Sequence, residues 1–128
     1  MAKFTDVLLV EDDPITIMVC ERIMKMTFFA EKVTSCLNGK IAIDYLLSKP
    51  ENENLPKIIF LDINMPVMNG WDFLVELDKV KSHFKQLPDI YLLSSTVDPE
   101  DFTKAKDFRL VKDFISKPLS KEALDKIL

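Results

Sequence analysis

Short apolar runs alternate along this chain with longer stretches in which apolar residues recur every three or four positions. Residues 7–10, 33–36, 58–61, 90–93 and 114–116 form runs of strand length, and three of them lack the in/out alternation of a half-exposed strand. That pattern predicts strands covered on both faces, as in a parallel sheet. The intervening segments carry helix signals. Asp13 precedes Pro14 and Asp98 precedes Pro99, each pair suiting an N-cap and a first helical position, while Glu100 and Asp101 complement the dipole of their turn. Asn38 or Gly39 opens another helix, in which Ile41, Ala42, Tyr45 and Leu46 share a face. A further helix begins near Gly70 and carries Phe73, Leu74 and Leu77. Ser120 can cap the last one, with Leu119 and Leu124 spaced as a hydrophobic staple. Five repeats of strand then helix predict an open, doubly wound α/β sheet. The one obvious loop, "SKPENENLPK", is polar and is expected to be solvated.

Composition narrows the function. A chain of 128 residues is expected to form one domain, 1–128, burying roughly 65–70% of its unfolded surface, with no need of a disulfide or zinc. Hydrophobic residues at 48% against 30% charged give an ordinary soluble balance, and no apolar run approaches the roughly 18 residues needed to span a bilayer. The first residues lack the apolar core of a signal peptide, so a cytoplasmic protein without a membrane partner is expected. A net charge of -4 supplies no long-range attraction to nucleic acid. Cys20 and Cys36 have no CxxC spacing and read as small buried hydrophobes.

In an open α/β sheet, ligands gather beyond the carboxyl ends of the strands, where strand order reverses. The first strand runs into "LLVEDDP", the third into "IIFLDINMP", the fourth into "YLLSST" and the fifth into "FISKPL". With the first and third strands as neighbours, Glu11, Asp12 and Asp62 meet at the reversal, and Ser94 and Lys117 reach the same rim. Three carboxylates that close repel, and one takes up a proton unless a cation joins them. Mg²⁺ together with Lys117 balances their charge, and an all-oxygen ligand set suits that hard ion. Nucleophile, metal, cation and hydrogen-bond donor are the parts needed for phosphoryl transfer to a carboxylate.

"LLVEDDP", "LDINMPVMNG", the small hydroxyl after the fourth strand, "KP" after the fifth and "NGKIAIDYL" after the second together resemble the response regulator receiver domain, the CheY-like fold of two-component signalling. The resemblance covers nearly the whole chain. It implies a flavodoxin-like sheet of five parallel strands in the order 2-1-3-4-5 with five helices, the order for which a member of this family is a standard example. It further implies that Asp62 is a phosphoacceptor, taking a phosphoryl group from a histidine of a sensor histidine kinase or a histidine phosphotransfer protein. Asp12 is then the direct Mg²⁺ ligand and Glu11 its water-mediated companion, with Asp62 and the backbone carbonyl of Asn64 completing the protein's share. Asp13 falls one place beyond the family's acidic pair and is left to the helix cap. Lys117 is implied to pair with phosphoryl oxygens, Pro118 to follow it through a cis bond, and Asn64 and Thr96 to tune hydrolysis. Ser94 and Phe114 match the hydroxyl and the aromatic of the family's conformational switch, where many relatives carry tyrosine at the aromatic position. The output is an unidentified downstream protein, with no nucleic acid or membrane bound by these residues.

Other classes fit less well. A haloacid dehalogenase-type phosphatase needs a second aspartate two residues after the first, where Asn64 cannot donate the proton. A flavin site would be repelled by Glu11, Asp12 and Asp13. A nucleotide site needs a glycine-rich phosphate loop, and the chain has two glycines, Gly39 and Gly70. Singly, Asp62 could cap a helix, Gly70 and Asn64 could serve only a turn, and Trp71 reads as packing. A pseudo-receiver that only binds partners is the best alternative, weakened by the presence of every expected site residue. His83 lies in the polar stretch "KSHFKQLPD" and is expected to be solvated, so a histidine phosphodonor comes from another chain.

Overall fold

The computed structural model describes residues 2–49, 55–65, 67–95 and 98–127. Strands β1 (Phe4–Val10), β2 (Ala30–Cys36), β3 (Ile58–Asp62), β4 (Asp89–Ser94) and β5 (Val111–Ser116) form one sheet in the order β2-β1-β3-β4-β5. All four pairings are parallel. Helices α1 (Pro14–Met26), α2 (Gly39–Leu47), α3 (Gly70–Val80), α4 (Pro99–Ala105) and α5 (Lys121–Ile127) separate the strands, with a 3-10 turn at Lys81–His83. This is the flavodoxin-like arrangement expected. β1, β2 and β5 each begin three residues earlier than their apolar runs suggest, because their first halves carry polar or charged positions that interrupt the run: Thr5 and Asp6 in β1, Glu31 and Lys32 in β2, Lys112 and Asp113 in β5.

Each helix starts where local chemistry permits. The Asp13 carboxylate accepts from the Thr16 N–H at 3.3 Å and from its hydroxyl at 2.7 Å, capping α1. The Asn38 side chain accepts from the Ile41 N–H at 2.9 Å and so decides which candidate opens α2. α3 is capped by Asn69, a residue the apolar pattern does not mark: its side chain accepts from the Asp72 N–H at 2.9 Å, and the Asp72 carboxylate accepts from the Asn69 N–H at 3.4 Å. At α4 the Asp101 carboxylate accepts from the Asp98 N–H at 3.1 Å. Ser120 caps α5 through the Ala123 N–H at 3.2 Å, and the staple residues Leu119 and Leu124 are both buried in one cluster.

Two apolar layers cover the sheet. On one face Leu8, Val10, Ile59 and Leu61 pack with Ala42 and Leu46 of α2, Phe73, Leu74 and Leu77 of α3, and Ala105 of α4. On the other, Val7, Leu9, Ile58 and Phe60 pack with Cys20 and Met24 of α1 and Leu124 of α5. β3 is buried at every position, which explains its unbroken apolar run. Phe4, Phe29, Phe60 and Tyr91 form a row of rings with successive centroids 5.0, 6.0 and 6.1 Å apart. A fully buried side chain such as Phe60 contributes about 1.5–3 kcal/mol. Of the loop expected to be solvated, residues 50–54 lie outside those described. Ser48 and Lys57 are exposed, but Pro56 is buried and Leu55 packs on the core. His83 is half-buried, its ring edge-on to Phe84 at 5.1 Å, and not simply solvated.

Candidate functional site

Backbone hydrogen bonds carry the sheet one residue past several strand ends and so fix the rim. The Glu11 N–H donates to the Cys36 carbonyl at 3.0 Å, the Ile63 N–H to that of Leu93 at 3.4 Å, and the Lys117 N–H to that of Ser94 at 3.0 Å. Glu11 and Asp12 come directly after β1, Asp62 ends β3, Ser94 ends β4 and Lys117 comes directly after β5. Carboxylate oxygens of Glu11, Asp12 and Asp62 lie within 4.8 Å of one another. Lys117 Nζ stands 3.1 Å from Glu11 Oε2 and 3.3 Å from Asp62 Oδ1. Residues scattered over the length of the chain therefore meet at the reversal between β2 and β3, both of which flank β1.

Burial sets the electrostatics. Glu11 is 0% exposed and Asp62 3%, while the Lys117 side chain keeps 20% of its surface. Glu11 Oε1 accepts from the Asp13 N–H at 3.3 Å and from Lys117 at 3.4 Å. Its Oε2 is ion-paired to Lys117 but lies outside hydrogen-bonding geometry, a buried acceptor without a donor. Burial, with the neighbouring Asp62 charge, pushes the Glu11 carboxyl up to about 7 against the pull of Lys117. Burial alone would lower Lys117, but the hydrogen bond to Glu11 and the charge of Asp62 outweigh it and raise its pKa. One ammonium thus serves a cluster of three carboxylates and is paired with two of them. An oxygen-only donor set with surplus negative charge and an unsatisfied buried carboxylate oxygen fits a hard divalent cation such as Mg²⁺.

Asp62 Oδ1 accepts from the Asn64 N–H at 3.2 Å and faces Lys117. Asn64 is exposed at the start of the loop that leads to α3. Gly70 donates its N–H to the Ile63 carbonyl at 2.9 Å, and a Cβ there would come 2.7 Å from the Asp62 carbonyl oxygen. α3 can therefore approach the end of β3 only with glycine at its first position, a packing requirement and not merely a turn. Ser94 is buried. The Lys117–Pro118 bond is cis. Phe114 is half-buried, its ring 4.8 Å from that of Phe102. Thr96 lies outside the described residues. Cys20 and Cys36 are buried thiols whose pKa values burial raises, that of Cys20 to about 11, as inert apolar packing requires. Trp71 is buried against Phe108, with Lys104 Nζ 5.0 Å from its ring. The burial of Glu11 is the feature of the site least visible in the sequence, since "EDDP" reads as a polar turn.

Comparison with known proteins agrees with this architecture. The family profile described as response regulator receiver domain matches residues 7–128. A probable methanogenesis regulatory protein, FilR2, of Methanothrix harundinacea is 31% identical over 119 residues, covering 92% of this chain and 75% of that protein. The response regulator SaeR of Staphylococcus aureus is 30% identical over 123 residues, covering 94% of this chain but 47% of SaeR. A crystal structure of a two-component response regulator from Cytophaga hutchinsonii superimposes with a TM-score of 0.84 at 37% identity, covering 98% of this chain and 94% of that one. The chain belongs to the response regulator receiver domain family, the signalling domains of two-component systems. Such domains typically bind Mg²⁺ and work with histidine kinases and phosphotransfer proteins. Among the described residues no helix is long and apolar enough to cross a membrane.

Proposed function

We propose that residues 1–128 work as one receiver domain that captures a phosphoryl group on Asp62 and passes the event to a downstream protein through a change of conformation. The observation that carries this reading is the convergence of the Glu11, Asp12 and Asp62 carboxylates with the Lys117 ammonium on one buried rim. The Asn64 N–H and Lys117 both engage Asp62 Oδ1, which orients the carboxylate and leaves Oδ2 as the attacking oxygen. That oxygen forms a bond to phosphorus as the N–P bond of a partner's phosphohistidine breaks, the electron pair going to the imidazole nitrogen. Glu11, Asp12, Asp62 and the Asn64 carbonyl would hold Mg²⁺. When bound, the ion supplies positive charge against the phosphoryl oxygens. Lys117 pairs with a phosphoryl oxygen, and the Ser94 hydroxyl donates a hydrogen bond to another. The partner is a sensor histidine kinase or histidine phosphotransfer protein.

The test is incubation with Mg²⁺ and acetyl phosphate, then intact-mass and peptide analysis. One added phosphoryl group on Asp62, lost in Asp62→Asn and on chelation, is expected. Turnover of an added phosphoester with no label on Asp62 would favour a phosphatase. A protein that neither labels nor turns over would be an interaction module of the same fold.

A further inference from the structure

Gly39 lies at the first position of α2 and touches the loop between the phosphoacceptor and α3. Its N–H donates to the Met68 carbonyl at 3.2 Å. A Cβ at Gly39 would stand 2.8 Å from Met68 Cγ and 3.0 Å from both Met68 O and Sδ. No glycine in the described residues has a positive φ, so backbone freedom is not the reason for glycine here. The reason is space: the start of α2 forms a seat that Met68 fills.

The loop resting on that seat, described at residues 63–65 and 67–70, is tied at its two ends by the Gly70 N–H bonding to the Ile63 carbonyl. Between the ends, Met65 is buried and Val67 is 80% exposed at φ 68. A β-branched residue in the left-handed region is strained, and such strain persists only where the neighbours over-determine the backbone. Val67 is too exposed for its own side-chain packing to hold that conformation, and the adjacent Met68 is anchored. That residue is held through its carbonyl by Gly39 and through its side chain by the core. Asn64 lies in this same loop.

We propose that Gly39 is a positioning residue for the phosphoacceptor loop: by seating Met68 it sets where the Asn64 backbone stands relative to Asp62. The proposal rests on the reading of the rim as a Mg²⁺ and phosphoryl site. A methyl group at position 39 pushes Met68 outward, lets the Val67 turn relax and moves Asn64, with the carboxylates themselves untouched.

Calorimetric Mg²⁺ titration and amide NMR of the metal-free protein test this. Gly39→Ala is expected to weaken Mg²⁺ binding on the order of 10-fold, the usual effect of disturbing a group that orients a ligand, and to shift the Asn64 and Met68 amide resonances. Met68→Ala, which empties the seat from the other side, is expected to weaken binding too, and the double variant by less than the product of the two single effects. Leu124→Ala, on the opposite face of the sheet, should lose stability without changing the Mg²⁺ half-saturation. A Gly39→Ala protein that binds Mg²⁺ like the wild type overturns the proposal and leaves the site reading standing. If that variant does not fold, unchanged binding by Met68→Ala overturns it equally. A wild-type protein with no Mg²⁺ response overturns the site reading, and the proposal with it.

Discussion

Glu11 is a carboxylate in an apolar setting, and its protonation ties the site to stability. Its ordinary pKa of 4.5 is raised to about 7 in the fold, so between those values the folded chain holds a proton that the unfolded chain has released. The contribution from Glu11 is therefore full below about pH 4.5 and is lost as the pH rises through about 7. Denaturant unfolding of the metal-free protein across that range should show this loss relative to Glu11→Gln, which has no such proton, and Mg²⁺ should suppress it. Asp62→Asn removes one of the charges that burden Glu11. It is expected to raise the stability of the metal-free protein by about 1 kcal/mol while abolishing phosphorylation, a trade common at functional sites. Equal or lower stability of Asp62→Asn in urea would contradict that account.

At the scale of elements, the junction between β3 and α3 carries most of the constraint. The Asn69 and Asp72 capping box holds the helix start, and loss of the side-chain acceptor in Asn69→Ala should cost about 1 kcal/mol, read from the urea midpoint at constant slope. Gly70→Ala must move backbone, because the nearest atoms to the new methyl group are the Asp62 carbonyl oxygen and the Ile63 Cα. A cost of about 1–3 kcal/mol is expected, together with slower labelling by acetyl phosphate, since Asp62 itself is displaced. Further along, Trp71 links α3 to Lys104 of α4 and to Phe108 beyond that helix. Its fluorescence should differ between wild type and Lys104→Ala, which removes a contact worth about 0.5–1 kcal/mol.

For the whole molecule, the proposed function requires one phosphoryl group to move a conformational equilibrium. Taking two states from 1:99 to 99:1 needs about 5.5 kcal/mol of differential binding, whereas a hydrogen bond from Ser94 to a charged group is worth roughly 1.5–3 kcal/mol. Ser94 alone is insufficient for a change of that size, so on the proposed reading either the unphosphorylated protein already visits the active state appreciably or Lys117 contributes. Its backbone N–H already rests on the Ser94 carbonyl, so the ends of β4 and β5 are joined before any phosphorylation. Phosphorylated Ser94→Ala is accordingly expected to switch in part, with Phe114 ring resonances between those of the two wild-type states. A complete loss of the shift would mean that Ser94 alone carries the change.

Much of this is readable along the chain. The apolar runs, the caps at Asp13, Asn38 and Ser120, and the residue types at the strand ends depend on neighbours a few positions away, and those neighbours are written in order. The edge strands look short in sequence because charged, solvent-facing positions such as Lys32 and Lys112 hide strand periodicity. Asn69 does not stand out because its partner in the capping box is an aspartate where glutamate or glutamine is usual. Three features need the folded chain. Glu11 and Lys117 are 106 positions apart, Gly39 fits Met68 from a different strand-helix unit, and Glu11 is buried although it opens a polar turn. Coulomb energy, desolvation and steric contact depend on distance in space, so local order specifies the parts, and only the packed sheet decides which charges meet, how dry they are and how closely the backbone can approach them.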